Sequence, residues 1–98
     1  MDKVNVLRIA SELVNKGNKL VILNCVNNNG IVDVTETQYS WDGNFFVAVT
    51  LWYTRDQEEK GIASTCDYLE LSDLVEDIPN YLSSEVAPNE WFRVHIEA

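Results

Sequence analysis

A run of carboxylate side chains in the second half of the chain is the part of the sequence best suited to binding or chemistry. It consists of Asp67, Glu70, Asp73, Glu76 and Asp77. The last three follow the i, i+3, i+4 spacing that places side chains on one face of a helix. No lysine or arginine lies between Lys60 and Arg93 to neutralise them. Two interpretations stay open. The carboxylates form either a charged face that keeps the protein in solution or a docking surface for a protein rich in lysine and arginine. As a docking surface, they would imitate the phosphate spacing of nucleic acid.

Clustered carboxylates also bind calcium, but this run lacks the pattern that a calcium loop needs. An EF-hand loop has oxygen ligands at alternate positions around a glycine and a glutamate at its twelfth position. The segment from Asp67 to Asp77 has neither the alternation nor the glycine. His95 is the only histidine, so no histidine pair is available for a metal. We therefore predict no metal site and no cofactor.

The candidates for nucleophilic catalysis are Cys25, Cys66 and His95. A catalytic cysteine needs a base within hydrogen-bond reach and a third group that orients the base. The neighbouring residues match no nucleophile elbow and no cysteine-protease signature. We expect His95 on the outward face of a strand, and both cysteines as buried, reduced thiols, with a disulfide as the less favoured alternative. The sequence predicts a protein without enzymatic activity, and a small enzyme that uses Cys66 or His95 remains an alternative.

The net charge of −9 resides entirely in the second half of the chain. Residues 1–55 have five acids and five bases, whereas residues 56–98 have eleven acids and only Lys60 and Arg93 as bases. This asymmetry favours a positively charged partner and disfavours direct binding to nucleic acid or to an anionic membrane. We expect charge reversal at Asp33 and Glu36, in the neutral half, to matter little for binding. The residues predicted to contact the partner are Trp52, Asp56, Glu58, Glu59, Asp67, Tyr68, Glu70, Asp73, Glu76 and Asp77.

Length and composition predict one folded domain over residues 1–98. The hydrophobic fraction is 46%, ordinary for a globular protein, and ten residues are aromatic. The first residues have no basic stretch followed by an apolar one, so we expect no secretory signal. The apolar runs are far shorter than the roughly 20 residues that cross a bilayer. Together with the low cysteine content, these features predict a cytoplasmic protein.

The first half of the chain reads as a helix followed by three antiparallel strands. Residues 2–16 have helical periodicity between an N-cap at Asp2 and a stop at Gly17. The predicted apolar face of this helix consists of Val6, Leu7, Ala10, Leu13 and Val14. The strands are predicted over 20–26, 31–40 and 45–53, joined by turns at Asn29-Gly30 and Asp42-Gly43. We expect four aromatic residues to surround the second turn and to take part in an interface: Tyr39, Trp41, Trp52 and Tyr53.

The second half predicts a charged loop over 56–61, a strand over 62–69, a helical segment and a final strand. Ser72 is predicted to cap the helical segment, whose apolar face comprises Leu71, Leu74, Val75, Ile78 and Leu82. Pro79 either kinks this helix or begins a second short one. In the final strand, Phe92, Val94 and Ile96 are expected to face inward. The fold class is therefore α+β, with an antiparallel sheet of four or five strands.

The last ten residues, Asn89-Glu90-Trp91-Phe92-Arg93-Val94-His95-Ile96-Glu97-Ala98, carry a family resemblance. They resemble the last strand of a small acidic anti-CRISPR protein of the type I-F inhibitors, with its acid-Trp-apolar-x-Val pattern and Glu-Ala end. The similarity covers about ten of 98 residues. The related protein is shorter and starts on a strand. The resemblance implies a phage-encoded inhibitor that occupies a basic nucleic-acid channel; an immunity protein or antitoxin that blocks a basic toxin nuclease is the alternative.

Overall fold

A computed structural model describes residues 1–56 and 63–98, and the side chains of all of these except 63–65. The elements in chain order are α1 (Lys3–Lys16), β1 (Lys19–Asn28), β2 (Ile31–Trp41), β3 (Phe46–Thr54), β4 (Ala63–Leu69), α2 (Leu71–Leu82) and β5 (Glu90–Glu97). All neighbouring strands pair antiparallel, in the order β4-β3-β2-β1-β5. The predicted α+β class is confirmed, and the sheet has five strands.

Helix α1 begins and ends as its sequence predicts, but its buried face is narrower. The Asp2 carboxylate accepts the N–H of Asn5 at 2.9 Å, and Gly17 follows the last turn with a φ of +68°. The buried residues are Val6, Ile9, Ala10 and Leu13. Leu7 and Val14, predicted on the same face, are exposed. At about 100° per residue they lie roughly 90–110° from the centre of the buried stripe.

The residues of the two turns determine the geometry of the hairpins β1–β2 and β2–β3. Asn29 and Gly30 have φ values of +54° and +90°, as a two-residue hairpin turn of type I′ requires. In the second hairpin, the Asp42 carboxylate accepts the backbone N–H groups of Asn44 and Phe45 at 2.8 and 2.7 Å. These bonds close a four-residue loop between Trp41 and Phe46, so β3 begins one residue later than predicted.

The main core lies between one face of the sheet and the two helices. Leu20 and Ile22 of β1 contribute to it, together with Tyr39 of β2 and Phe46 and Ala48 of β3. The opposite face of the sheet, which we call the open face, carries no described helix. Residues of the open face that are nevertheless buried are Val21, Cys25, Val34 and Glu36. None of the described helices is long and apolar enough to span a membrane.

Helix α2 differs from its prediction at its N-cap and at Pro79. Glu70, not Ser72, is the N-cap: its backbone N–H donates to the Asp73 carboxylate at 2.8 Å, and its carbonyl accepts the N–H of Asp73. Pro79 lies inside one continuous helix, so the alternative of two short helices is wrong. Leu74 and Ile78 are fully buried against α1 and the sheet, and this burial outweighs the hydrogen bond that proline cannot donate.

Strand β5 forms one edge of the sheet, and Phe92, Val94 and Ile96 face its helical side as predicted, although two of the three are exposed. Phe92 packs on the core, with its ring 5.0 Å from that of Tyr81. Val94 and Ile96 pair with Ile22 and Leu20 and so share the helical face, yet they are 40% and 41% exposed. A residue of an edge strand has a neighbouring strand on one side only, which leaves both side chains partly open to solvent.

Candidate docking surface

The structure brings together the five carboxylates of the predicted run. Asp73, Glu76 and Asp77 lie on the exposed face of α2, opposite Leu74 and Ile78. Asp67 on β4 and Glu70, at the junction of β4 and α2, are also exposed. We call this surface the acidic edge; it consists of Asp67, Glu70, Asp73, Glu76 and Asp77.

A buried tyrosine links the two elements that carry the acidic edge. Asp67 pairs with Ala48, a core residue, so its side chain is on the helical side of the sheet. The pKa of Tyr39 is raised to about 12; burial is the largest cause, and the Tyr81 hydroxyl and the charges of Asp77 and Asp67 act in the same direction. Asp67 and Asp77 therefore both lie on the helical side of the sheet, within electrostatic range of the same phenol.

The two elements that carry the acidic edge contribute no positive charge of their own. Neither β4 nor α2 contains a lysine or an arginine. Four of the described bases belong to α1 and the start of β1: Lys3, Arg8, Lys16 and Lys19. Arg8 forms an exposed pair with Glu12 at 3.4 Å, one turn along α1. Within the part of the chain that the structure describes, none of the carboxylates of the acidic edge forms an ion pair with these four bases.

Three of the remaining residues predicted to bind the partner lie elsewhere, and two fall outside the described residues. Trp52 is 48% exposed but lies six residues along β3 from Phe46, a distance of about 20 Å. Asp56 follows the same end of β3, and Tyr68 projects from β4 on the open face, opposite Val47. Glu58 and Glu59 are not among the described residues.

The aromatic cluster predicted around the second hairpin is also divided. Tyr39 and Trp41 lie beside that turn, and the Trp41 ring packs against Phe46 at 4.9 Å. Trp52 and Tyr53 pair with Thr35 and Val34, far along the sheet, and they face opposite sides of it. The prediction failed because β3 runs away from the turn at about 3.4 Å per residue, which separates residues that are close in sequence.

An apolar groove adjoins the acidic edge and was not predicted. It has a volume of about 420 Å³ and lies between the last turn of α1, the second hairpin and the start of α2. Its lining residues are Val14, Trp41, Asn44, Phe45, Phe46, Leu69, Glu70 and Leu71. Two features of the sequence could have indicated it: Val14 lies off the centre of the apolar face of α1, and Leu71 is an apolar residue at the first position of α2.

The geometry separates the residues of the alternative catalytic site. Cys66 and His95 face the same side of the sheet on opposite edge strands, aligned through Val49, Gln38 and Val21. Four strand spacings of about 4.8 Å put them about 19 Å apart. Cys25 pairs with Trp91, four residues and about 13 Å along β5 from His95. Neither cysteine is within hydrogen-bond reach of the histidine.

The cysteines themselves differ from the prediction in one respect. Both are free, and Cys25 is buried, with desolvation raising the pKa of its thiol. Cys66 is exposed, because it lies on the open face of the β4 edge strand. The three strand spacings between β1 and β4 exclude a disulfide between the two.

Glu36 is the buried carboxylate of the open face, although the sequence analysis treats it as a position where charge reversal matters little. It is 2% exposed. Its two carboxylate oxygens accept hydrogen bonds from the Tyr53 hydroxyl at 2.7 Å and from the Gln38 side-chain amide at 2.5 Å. Burial, and then the hydrogen bond to Glu36, raise the pKa of Tyr53. A charged side chain that is this well covered is part of the structure, so Glu36 cannot serve as a neutral control for binding.

Neither a metal centre nor a relative explains the surface. Within the two described segments, no group of three or more histidine, cysteine, aspartate or glutamate residues is arranged to hold a metal ion. Comparisons with family models, with curated proteins and with solved structures found no match. What the acidic edge and the groove can bind is therefore inferred from their own residues.

Proposed function

We propose that this protein is a non-enzymatic inhibitor that binds a positively charged surface of nucleic-acid-handling machinery. The observation that supports the proposal is the acidic edge, whose five exposed carboxylates lie on β4, on α2 and at the residue between them. Neither β4 nor α2 contains a lysine or an arginine. A surface of one sign steers a partner of the opposite sign and repels nucleic acid and anionic lipid. The size, the acidity and the similarity of the last ten residues to a type I-F anti-CRISPR protein agree with this role.

The rigidity of α2 supports a docking role more than a solubilising one. Neighbouring carboxylates on a helix repel each other by a few tenths of a kcal/mol per pair, a cost that a mixed-charge surface avoids. Leu74 and Ile78 anchor the other face of the helix in the core, so the carboxylates project from a fixed support. A charged surface held in one geometry loses less conformational entropy on binding than one carried by a loose segment.

The test compares charge reversal at the acidic edge with a matched reversal elsewhere. One variant changes Asp73, Glu76 and Asp77 to lysine. The control changes Asp33, Glu85 and Glu97, which are exposed on β2, after α2 and on β5, and alters the net charge equally. Each protein is used to capture partners from a lysate, with identification by mass spectrometry and affinity measurement on the partner obtained.

We expect the acidic-edge variant to lose the partner while the control keeps it. At an interface, each reversal replaces attraction with a like-charge contact that costs several kcal/mol. Reversal of the exposed Glu76 and Asp77 changes stability by no more than about 0.5 kcal/mol each, and loss of the Asp73 carboxylate, which accepts the Glu70 N–H, costs about 0.5–2 kcal/mol. Thermal unfolding of both variants checks that they are folded. Equal capture by the two variants would remove the acidic edge from the interface. A captured toxin nuclease, in place of a defence complex, would favour the immunity-protein alternative.

A further inference from the structure

The groove beside the acidic edge exposes apolar side chains in a continuous strip. Val14, Phe45 and Leu71 line it and are 43%, 47% and 43% exposed. Leu7, two turns back along α1 from Val14, extends the strip through a second depression, which Val14 and Leu71 also line. Apolar surface gathered in this way is a common mark of an interaction site, whereas single exposed apolar residues are not.

The groove and the acidic edge share residues, so one ligand can reach both. Glu70 lines the groove and is also part of the acidic edge, and Leu71 is the next residue. Asp73, whose carboxylate accepts the Glu70 N–H, continues the negative surface along α2. None of the residues that line the groove is a lysine or an arginine, and Lys16, although close in sequence to Val14, is not one of them.

The charge beside the groove, rather than the composition of its lining, favours a protein segment with flanking bases. Here the polar side chains are those of Asn44 and Glu70, and the rest of the lining is apolar. The negative charge lies to one side of the groove, where a flanking base of a peptide chain would meet it.

We infer that the groove binds an apolar side chain of the partner, next to lysine or arginine residues that contact the acidic edge. This inference rests on the proposed function and names the recognition element within it. The two parts of the site have different tasks. Charge on the acidic edge raises the association rate, and burial of the apolar anchor in the groove slows dissociation.

The experiment uses the whole protein and two short synthetic peptides of equal positive charge. Both are lysine-rich; one carries two leucines at its centre, and the other has serine at those positions. Isotope-labelled protein is titrated with each peptide, and backbone amide shifts and dissociation constants are measured by nuclear magnetic resonance. The groove variant is Val14→Ser with Leu71→Ser, and its control is Ile31→Ser, an exposed apolar residue in the first hairpin.

We expect the leucine peptide to bind at least about tenfold more tightly than the serine peptide, as burial of one leucine side chain provides. Its largest shifts should fall at Val14, Phe45 and Leu71. The groove variant should abolish the difference between the peptides, and Ile31→Ser should keep it. The shifts in the unaltered protein provide the answer even if the groove variant fails to fold.

Three results would overturn the inference, and they differ in what they mean for the proposed function. Equal binding of the two peptides, with shifts only along the acidic edge, would refute the groove and leave the electrostatic surface in place. Failure of both peptides to bind would count against the acidic edge as well. Groove shifts that depend on protein concentration without any peptide would show that a second copy of the chain occupies the groove.

Discussion

Replacing Tyr39 with phenylalanine should protect the fold against alkaline unfolding. The phenol is 8% exposed, under α2, and its pKa is raised from 10.0 to about 12. Burial is the largest cause, followed by the nearby hydroxyl of Tyr81 and the charges of Asp77 and Asp67. The folded state therefore favours the neutral phenol, whereas the unfolded chain loses the proton at an ordinary pH.

The sign of the effect follows from linkage. A raised pKa in the folded state contributes stability in full below pH 10, and that stability is lost as the pH rises from 10 to 12. A shift of two units corresponds to about 2.7 kcal/mol in total, of which about 1.4 kcal/mol is lost by pH 11. Tyr39→Phe has no proton to lose, so this part of the alkaline decline should vanish in the variant.

The assay is urea unfolding of the wild type and the variant at intervals between pH 8 and pH 11.5. The wild type should lose about 1.4 kcal/mol more than Tyr39→Phe between pH 8 and pH 11. Tyr68→Phe, which removes an exposed phenol on β4, is the matched control and should follow the wild type. Parallel curves for the wild type and Tyr39→Phe would show that α2 does not bury this hydroxyl. The convergence of Asp67 and Asp77 would then lose its support.

Other expectations follow from the same structure. Raising the salt concentration from ~50 to ~500 mM shortens the Debye length from ~14 to ~4 Å, so the association rate with the partner should fall steeply; a rate that hardly changes would argue against electrostatic steering. Cys66, which is exposed, should react with a thiol reagent in the native protein, while Cys25 should react only on unfolding, and equal rates would contradict the burial of β1. Ile78→Ala should cost about 2–5 kcal/mol in urea unfolding because Ile78 is fully buried. Leu71→Ala, at the exposed start of α2, should cost far less, and similar losses would mean that Leu71 belongs to the core.

Features set by neighbouring residues were predictable from the sequence. Asn29-Gly30 has the positive φ values of its turn whatever lies around it, and the Asp2 cap and Gly17 stop depend on the backbone within one helical turn. The i, i+3, i+4 spacing placed Asp73, Glu76 and Asp77 on one exposed face for the same reason. Local periodicity therefore predicted the elements, their order and the charged face of α2.

Features that depend on which elements lie over one another were not predictable. The alternation of β2 assigns Glu36 to the open face, but only the neighbouring Gln38 and Tyr53 side chains show that it is buried there. Val94 and Ile96 alternate like core residues, and their exposure follows from the edge position of β5. The groove arises where three elements meet, so no single stretch of sequence contains it.

The electrostatics of α2 connect its stability to its proposed role. Asp73 accepts the Glu70 N–H at the N-terminus, where negative charge is favourable, but Glu76 and Asp77 lie further along and no base occupies the last turn. Pro79 removes one backbone hydrogen bond from the same helix. The helix therefore depends on its buried face, with Leu74 and Ile78, for stability. A cationic partner that neutralises the three carboxylates removes their repulsion and must stabilise α2, because a ligand that binds only the folded state shifts the equilibrium towards it.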